Sequence, residues 1–436
     1  MLVHRVLPSA SGVIALAVLT LVLFSKAWGQ TEKALYSFTG GSDGGTPEGV
    51  LVFDALGNLY GTTVGGNGVV FQLSPNQDGT WAETTIHAFT DQDGYEPFAG
   101  LTLDSDGNLF GTTLEGGRGG CGTVFKLTPA QQGWHHRYYS FANSSGSCEH
   151  GFFPTASVTL DGSGNLFGTT DMGGDLSCGV DGCGVIFQLS KDFDYIAEKL
   201  HRFRLNGAGT FPQGPLTLDV MGNLFGTTSQ GGMFGGVCNV VGFGGCGTVF
   251  ELMKVGDGEW TGKGLHHFTG GADGAFPAYG KLIFVSAGNI YGTAAGGGYQ
   301  GGGCATFGGC GVVFELSPTS EGWREMTLYT FTGGSDGGKP AAGVVLDSLG
   351  NLYGTTSGGG MGPCTDQGIP GCGVVYELTP NGDTWTQRVL YSFTGGNDGS
   401  EPVGGVTLDA GGNIYGTTQI GGAYDNGVVF EITRDR

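Results

Sequence analysis

The sequence is poor in charged residues, which make up 13% of its 436 positions, about half of the share usual in soluble proteins. Basic residues are the scarcest class, because 39 acidic side chains are set against only 18 lysines and arginines, which leaves a net charge of −21. Phosphate groups are repelled by such a surface, so we expect neither nucleic acid nor anionic lipid among the partners.

Signals for helices and for well-known catalytic sites are also missing. No stretch after residue 29 has helical periodicity, and the sequence contains no His-Glu-x-x-His and no phosphate-binding Gly-Lys-Ser/Thr. The 15 prolines and the absence of a Gly-X-Y period exclude collagen, and 39% hydrophobic residues exclude a disordered chain. The sequence therefore predicts no catalytic residue, no cofactor and no metal ligand.

Residues 1–29 have the pattern of a secretory signal peptide. His4 and Arg5 precede an apolar run over residues 13–24, and Ala27 and Gly29 provide small residues for cleavage. The apolar run is short for a membrane span. We expect the mature protein to be secreted, periplasmic or at the cell surface, with no membrane attachment after cleavage.

Glycine is abundant instead, with 92 residues, and it is organised by a repeat. The string Gly-Asn-(Leu/Ile)-(Tyr/Phe)-Gly-Thr-(Thr/Ala) recurs seven times with a mean period near 59 residues, and a proline precedes each asparagine by 11 or 12 residues. The seven asparagines are Asn58, Asn108, Asn165, Asn223, Asn289, Asn351 and Asn413.

Each repeat contains four short runs with the alternation of apolar and polar residues that is typical of half-buried strands. In the sixth copy we assign strand A to residues 343–347, strand B to 351–356, strand C to 373–378 and strand D to 385–393. Four antiparallel strands repeated seven times predict an all-β, seven-bladed β-propeller with one domain over residues 32–433.

A tight hairpin joins strands A and B, for which an aspartate supplies a side-chain acceptor and a glycine supplies a positive φ. The fifth copy has Val285 in place of the aspartate, and we assign to its hairpin, residues 285–289, the one extra residue between its proline and its asparagine. We therefore expect the fifth hairpin to be irregular.

The two ends of the mature chain predict how the ring closes. Residues 35–38 resemble a strand D, and residues 427–432 resemble a strand C whose own strand D is missing downstream. We expect the N-terminal strand to complete the last blade. If strand D were innermost instead, the ends would only abut.

Aromatic residues recur at one position in each of strands B, C and D, and five tryptophans begin strand D. Because every blade has these rings, we interpret them as packing between blades, not as ligand platforms. Histidines 87, 201 and 266 occupy a strand D position that is tyrosine in four other copies, so we interpret them as sheet residues, not as catalytic bases.

The ten cysteines predict five disulfides, because the chain is exported and the cysteines fall into local pairs. No Cys-x-x-Cys suggests a metal thiolate site. The expected pairs are Cys121–Cys148, Cys178–Cys183, Cys238–Cys246, Cys304–Cys310 and Cys364–Cys372.

Loop length varies mainly between strands B and C, and in a propeller these loops share one face with the connections from strand D to the next strand A. Function is commonly carried by loops on a rigid scaffold, so we expect the binding surface there. Glycine-rich D–A loops place one aspartate each on this face: Asp43, Asp93, Asp273, Asp336 and Asp398. Residues 91–96 also leave calcium binding open, although the EF-hand spacing is absent.

The repeat unit, from the proline through Asn-Leu-Tyr-Gly-Thr-Thr to Gly-Val-Val-Phe-Glu-Leu, resembles the GloVer (Gloeo-Verruco) tandem repeat of bacterial exported proteins over about 90% of the chain. The resemblance implies a cell-surface or extracellular protein, and it carries over no catalytic residue.

Two functions remain in view from the sequence. The first is a monomeric, secreted, non-catalytic propeller that binds an extracellular protein or a glycan. The alternative is a hydrolase or lyase that acts on polysaccharide with acidic residues at the central channel, since propeller enzymes can assemble paired carboxylates from separate blades.

Overall fold

The computed structural model describes most of the chain after residue 30. The described residues are 31–148, 150–191, 196–205, 209–232, 238, 244–256, 258–277, 279–285, 288–306 and 308–434. The predicted signal peptide lies outside them. None of the described residues belongs to a helix that is long and apolar enough to cross a membrane.

Thirty strands account for the regular structure of the described residues, and short 3-10 turns occur only in loops. The first strand is β1 (Thr31–Ser37). Blade 1 contains β2 (Val52–Phe53), β3 (Leu59–Thr63), β4 (Val69–Pro75) and β5 (Trp81–Ala88), and blade 2 contains β6 (Thr102–Leu103), β7 (Leu109–Thr113), β8 (Thr123–Pro129) and β9 (Trp134–Ser140). Blade 3 contains β10 (Thr159–Leu160), β11 (Leu166–Thr170), β12 (Val185–Leu189) and β13 (Ile196–Arg202), and blade 4 contains β14 (Thr217–Leu218), β15 (Leu224–Thr228), β16 (Thr248–Val255) and β17 (Glu259–His267). Blade 5 contains β18 (Ile283–Phe284), β19 (Ile290–Ala294), β20 (Val312–Thr319) and β21 (Gly322–Thr330). Blade 6 contains β22 (Val345–Leu346), β23 (Leu352–Thr356), the hairpin β24 (Thr365–Asp366) and β25 (Ile369–Pro370), β26 (Val374–Asn381) and β27 (Thr384–Ser392). Blade 7 contains β28 (Thr407–Leu408), β29 (Ile414–Thr418) and β30 (Val428–Thr433).

These strands form seven four-stranded antiparallel sheets arranged as the blades of a β-propeller, which confirms the predicted fold. Within each of blades 1–6 the order of the four strands across the sheet follows their order along the chain, with the hairpin β24–β25 inserted in blade 6, so they correspond to the predicted strands A, B, C and D. In six copies the hairpin aspartate accepts a hydrogen bond of 2.8–2.9 Å from the backbone nitrogen of the repeat asparagine, which fixes the A–B turn.

The ring closes through the N-terminal strand, as expected. Strand β1 pairs antiparallel with β30, from Thr31 opposite Thr433 to Ser37 opposite Val428, and it is the outermost strand of blade 7. The first and last strands that the structure describes therefore belong to one sheet.

Aromatic rings connect each blade to the next. The aromatic residue after strand D packs edge-on against the strand C aromatic of the following blade at all seven junctions, with ring centroids 5.0–5.2 Å apart. The five strand D tryptophans contact the strand B aromatic of the preceding blade at 5.9–6.4 Å. These rings therefore hold the ring of blades together, as the sequence indicated.

The glycine inside the repeated Asn-Leu-Tyr-Gly-Thr-Thr is explained by the same packing. The strand C aromatic of the same blade lies across it, and a Cβ atom placed on Gly168 would lie 2.5 Å from Cζ of Phe187. An equivalent close approach to the strand C ring occurs at Gly61, Gly111, Gly226, Gly292, Gly354 and Gly416. The ring needs the space that a side chain would fill.

We expect Gly168→Ala to lower the free energy of unfolding by about 1–3 kcal/mol, because the added methyl group must displace a fully buried ring. Urea unfolding measured by fluorescence tests this. The matched control is Gly162→Ala, in the same blade, where a Cβ atom would meet nothing within 4 Å. Equal effects of the two substitutions would show that the packing explanation is wrong.

The extra residue of the fifth copy does not lie in the A–B hairpin, where it was expected, and residues 286 and 287 of that hairpin lie outside the described residues. Val285 and Asn289 form the same backbone hydrogen bond, at 3.0 Å, that closes the other A–B hairpins. The extra residue lies earlier, because β18 begins six residues after Pro277, whereas β2 begins five residues after Pro47. The insertion therefore falls beside Tyr279, at the entrance to strand A.

Candidate functional site

The B–C loops and the D–A connections lie at the same end of every blade, because neighbouring strands run antiparallel. We call this end of the propeller the loop face. It carries all five disulfides, in the predicted pairs: Cys121–Cys148, Cys178–Cys183, Cys238–Cys246, Cys304–Cys310 and Cys364–Cys372. The five bridges indicate an oxidising, extracellular or periplasmic environment.

The five candidate aspartates of the D–A loops each accept hydrogen bonds from their own loop and from strand D. Asp43, for example, accepts from the backbone nitrogen of Thr39 at 2.8 Å and from the hydroxyl of Tyr36 at 2.9 Å. The same pattern, with tyrosine or histidine as the strand D donor, occurs at Asp93, Asp273, Asp336 and Asp398.

These aspartates therefore close turns at five separate blade junctions, and the structure does not bring them together. Burial raises the pKa of Asp43, but hydrogen bonds from Thr39 and Tyr36 outweigh it and hold this pKa below the usual value. A ligand-binding role for the five stays a prediction, since each carboxylate already has partners within the blade.

A different set of residues forms a ring at the innermost edge of the loop face. The residue before each repeated proline has a φ between 54° and 61°, and its carbonyl oxygen accepts a hydrogen bond of 2.9–3.2 Å from the residue after strand B. Seven non-glycine residues thus share one uncommon backbone conformation, of a kind often found at functional sites. They are Thr46, Glu96, Phe153, Phe211, Phe276, Lys339 and Glu401.

The backbone of this ring is uniform from blade to blade, whereas its side chains are not. Segments just after the prolines pack backbone to backbone around the centre, as Gly49 does against Gly100 and Gly404 against Glu48. The side chains of the residues that follow strand B differ in polarity, from the apolar Leu114 to the acidic Asp171. We call the ring the channel mouth, because strand A is the innermost strand of each blade.

The inserted tyrosine closes part of the channel mouth. Tyr279 enters blade 5 with a φ of 55°, and its ring centroid lies 5.7 Å from that of Phe98, which enters blade 2. Blades 2 and 5 are three blades apart in a ring of seven, so this contact must span the channel. Tyr279 is 41% exposed, so the aromatic pair also faces solvent.

Acidic groups surround this aromatic pair. Gln419 donates a hydrogen bond from Nε2 to Oε1 of Glu48 at 2.7 Å. Burial raises the pKa of the Glu48 carboxyl from 4.5 to about 7; the Gln419 hydrogen bond opposes this shift and the charge of Glu96 adds to it. Glu48 is therefore partly protonated near neutral pH.

Asp171 is a second buried carboxyl at the channel mouth. Burial raises its pKa from 3.8 to about 6 against a hydrogen bond with Gln213, and its Oδ1 atom is buried without a hydrogen-bond partner. Loss of solvent around the Tyr279 hydroxyl raises the pKa of this tyrosine to about 12, and the negative charges of Asp171 and Glu48 add to the shift. The tyrosine thus lies within electrostatic range of both carboxyls.

The basic side chain of this ring is already paired. Lys339 Nζ lies 3.0 Å from Oδ2 of Asp366, which belongs to the hairpin β24–β25 and also accepts a 2.6 Å hydrogen bond from Ser357. A second lysine, Lys281, lies two residues after Tyr279, and burial lowers its pKa. The channel mouth therefore presents carboxyls, amides and two aromatic rings, with little positive charge to attract an anion.

Sequence reasoning did not identify Glu48, Asp171, Phe98 or Tyr279. The available signal was that the positions beside the proline and after strand B vary among the copies while their neighbours repeat. The extra residue of the fifth copy was a second signal, which was assigned to the wrong side of strand A.

A family model described as the Gloeobacter/Verrucomicrobia repeat matches the sequence over residues 20–179, 64–238 and 305–436. The first two matches overlap, and the three together span most of the chain. A search of the curated proteins found no match.

Solved structures with a similar fold include a proposed 6-phosphogluconolactonase from Bacteroides uniformis, at 14% identity and a TM-score of 0.49, with 86% of this chain and 98% of that chain covered. A proposed glucose dehydrogenase from Thermus thermophilus is 16% identical at a TM-score of 0.43, covering 76% and 94%. A carbohydrate-active enzyme of family AA12 from Trichoderma reesei is 12% identical at 0.44, covering 93% and 96%. At these values none of their activities transfers to this chain.

Proposed function

The chain belongs to the Gloeobacter/Verrucomicrobia repeat family, and from this premise we propose that it is an exported propeller that binds a neutral extracellular glycan at the channel mouth without catalysis. The observation that carries the proposal is that a uniform sevenfold backbone at the channel mouth presents unlike side chains. A scaffold that needed these positions for folding would repeat them, as it repeats the aromatic registers.

The chemistry of the channel mouth suits a sugar. Aromatic rings pack against the apolar faces of pyranose rings, and carboxyl and amide groups accept and donate hydrogen bonds to hydroxyls. Phe98 and Tyr279 provide the rings, Glu48 and Asp171 the carboxyls, and Gln213 and Gln419 the amides. The unpartnered Oδ1 of Asp171 is an acceptor that a sugar hydroxyl would satisfy.

Charge favours a neutral glycan over a polyuronate or a sulfated chain. The net charge is −21, Lys339 is paired with Asp366, and burial disfavours the charged form of Lys281 by lowering its pKa. The negative charge of the protein would therefore repel an anionic sugar, and a neutral sugar would not be repelled.

We expect Tyr279→Ala to weaken glycan binding by about tenfold or more, because truncation of an aromatic anchor at the centre of an interface costs about 2 kcal/mol or more. A glycan array identifies the ligand, and isothermal titration calorimetry with that ligand measures the affinity of each variant.

The matched control is Tyr424→Ala, which removes a 59% exposed tyrosine from a B–C loop on the same face. Its affinity should match that of the unsubstituted protein. Binding that is lost in Tyr424→Ala and retained in Tyr279→Ala would refute a site at the channel mouth, and an array with no neutral glycan bound would refute the ligand class.

The alternative function, hydrolysis or lysis of a polysaccharide, has one specific observation in its favour. Glu48 and Asp171 have pKa values raised to about 7 and about 6, the range in which a carboxyl can serve as a general acid. Release of reducing ends or unsaturated ends from the bound glycan, abolished in Glu48→Gln, would establish the enzyme and overturn a non-catalytic role.

A further inference from the structure

Three side chains converge at the junction of blades 1 and 2, on the outer strands of the propeller. His87 Nε2 lies 2.8 Å from Oδ2 of Asp93, and Nδ1 of His136 lies 3.5 Å from the same oxygen. One ligand atom from each of the three residues falls within 4.8 Å of the others, and no other such group of three His, Cys, Asp or Glu occurs among the described residues.

The contact between His87 and Asp93 by itself is ordinary for this repeat. Tyr36, Tyr329 and Tyr391 donate to the equivalent aspartates, and His266 lies 3.3 Å from Asp273. A donor from strand D to the loop aspartate is therefore part of the blade, and it does not explain why this junction carries a second histidine.

The loop at this junction differs from its equivalents in length. Thr90 precedes Asp93 by three residues, whereas the other four threonines precede their aspartates by four. In the longer loops the threonine backbone nitrogen donates to Oδ2 of the aspartate. In the shorter loop both the nitrogen and the hydroxyl of Thr90 donate to Oδ1, at 2.8 and 2.6 Å.

As a result, the two imidazoles are the partners of Asp93 Oδ2 at this junction. In this shorter loop, Oδ1 of Asp93 accepts the hydrogen bonds from Thr90, and Oδ2 faces the two histidines. Both imidazoles therefore face the same oxygen of Asp93.

His136 is the residue that the repeat does not account for. The equivalent strand D position, opposite the strand C leucine, is Glu83 in blade 1, Glu325 in blade 5 and Gln387 in blade 6. Nε2 of His136 is buried and has no hydrogen-bond partner, although the side chain is 17% exposed overall. A buried imidazole nitrogen without a partner is unfavourable unless something else binds it.

We propose that His87, Asp93 and His136 form a binding site for a divalent transition metal ion of the zinc type. Two imidazoles and one carboxylate are a common ligand set for zinc, and three protein ligands leave a coordination position open to water or to a ligand. The nitrogen ligands favour such a metal over calcium, which takes oxygen ligands.

The rings of His87 and His136 are stacked, with centroids 4.0 Å apart and an angle of 30° between their planes. Binding of an ion therefore involves rotation of at least one ring, so that one nitrogen of each points to the metal. The site lies on the outer strands β5 and β9, so its occupancy is separable from glycan binding at the channel mouth.

Isothermal titration of zinc into the protein, freed of any polyhistidine tag and of bound metal, tests the proposal, with cobalt(II) absorption as a second readout. We expect one equivalent to bind at micromolar zinc. His136→Gln and His87→Tyr install residues that other blades carry at these positions, so both variants should fold. Each should weaken zinc binding by at least about 10- to 100-fold, the loss that follows removal of an outer-shell partner alone.

His266→Tyr is the matched control, because it makes the same change in blade 4, where Glu325 stands opposite in place of a histidine. Its zinc affinity should equal that of the unsubstituted protein. The proposal is overturned by an absence of saturable binding at micromolar zinc, by equal binding in His136→Gln, or by a loss in His266→Tyr as large as that in His136→Gln.

Discussion

A chain that begins at Thr39, and so lacks β1 and Phe38, is expected to lose about 5–10 kcal/mol of its free energy of unfolding relative to a chain that begins at Thr31. Phe38 is fully buried and packs against Phe71 of blade 1, and Leu35 is buried in the same cluster. Each large apolar side chain of this kind contributes about 2–5 kcal/mol. Urea unfolding followed by tryptophan fluorescence measures the difference.

Truncation also exposes one edge of β30 and removes half of the junction between blades 7 and 1. A synthetic peptide of residues 31–38 should therefore restore stability when added in excess, because a ligand that binds only the folded state stabilises it by mass action. The same peptide with alanine in place of Phe38 is the control and should restore much less. An unchanged unfolding midpoint in the truncated chain would show that closure does not contribute to stability.

The uniform features of the fold could be predicted from the sequence because they are local and are repeated seven times. Each hairpin aspartate accepts a hydrogen bond from the asparagine four residues later. Four of the five disulfides join cysteines within one B–C loop. The ring closure could also be predicted, because the order of the repeats leaves an N-terminal strand D without a preceding strand C and a last strand C without a following strand D.

The channel mouth could not be predicted in the same way, because its contacts join residues that occupy no common register. The ring contact between Phe98 and Tyr279 joins blades that are three apart, and nothing in either repeat specifies the other. His136 was missed for a related reason. The sequence showed adjacent histidines at 135 and 136 but not which of them faces the loop of the preceding blade.

The pH dependence of stability should change when the carboxyl of Glu48 is removed. Glu48 has an ordinary pKa of 4.5 when unfolded and about 7 when folded, so between these values the folded chain binds more protons than the unfolded chain. The contribution of Glu48 to the free energy of unfolding is therefore greatest below pH 4.5 and is lost as the pH rises through about 7. The shift corresponds to about 3 kcal/mol.

Glu48→Gln removes this penalty, since glutamine is neutral at every pH and its Oε1 can still accept the hydrogen bond from Gln419. The variant should match the unsubstituted protein near pH 4 and exceed its free energy of unfolding by about 3 kcal/mol at pH 8. Urea unfolding at a series of pH values measures both curves.

Asp43→Asn is the control of opposite sign, because the pKa of Asp43 is lowered in the folded state and its charged form is the stabilising one. That variant should be less stable than the unsubstituted protein at pH 8, and the difference should shrink as the pH falls through the range in which Asp43 is protonated. A Glu48→Gln variant that is destabilised at pH 8 would mean that the ionised carboxylate contributes to folding. In that case the channel mouth would hold a negative charge that the structure favours, and a cationic ligand would fit it better than a neutral glycan.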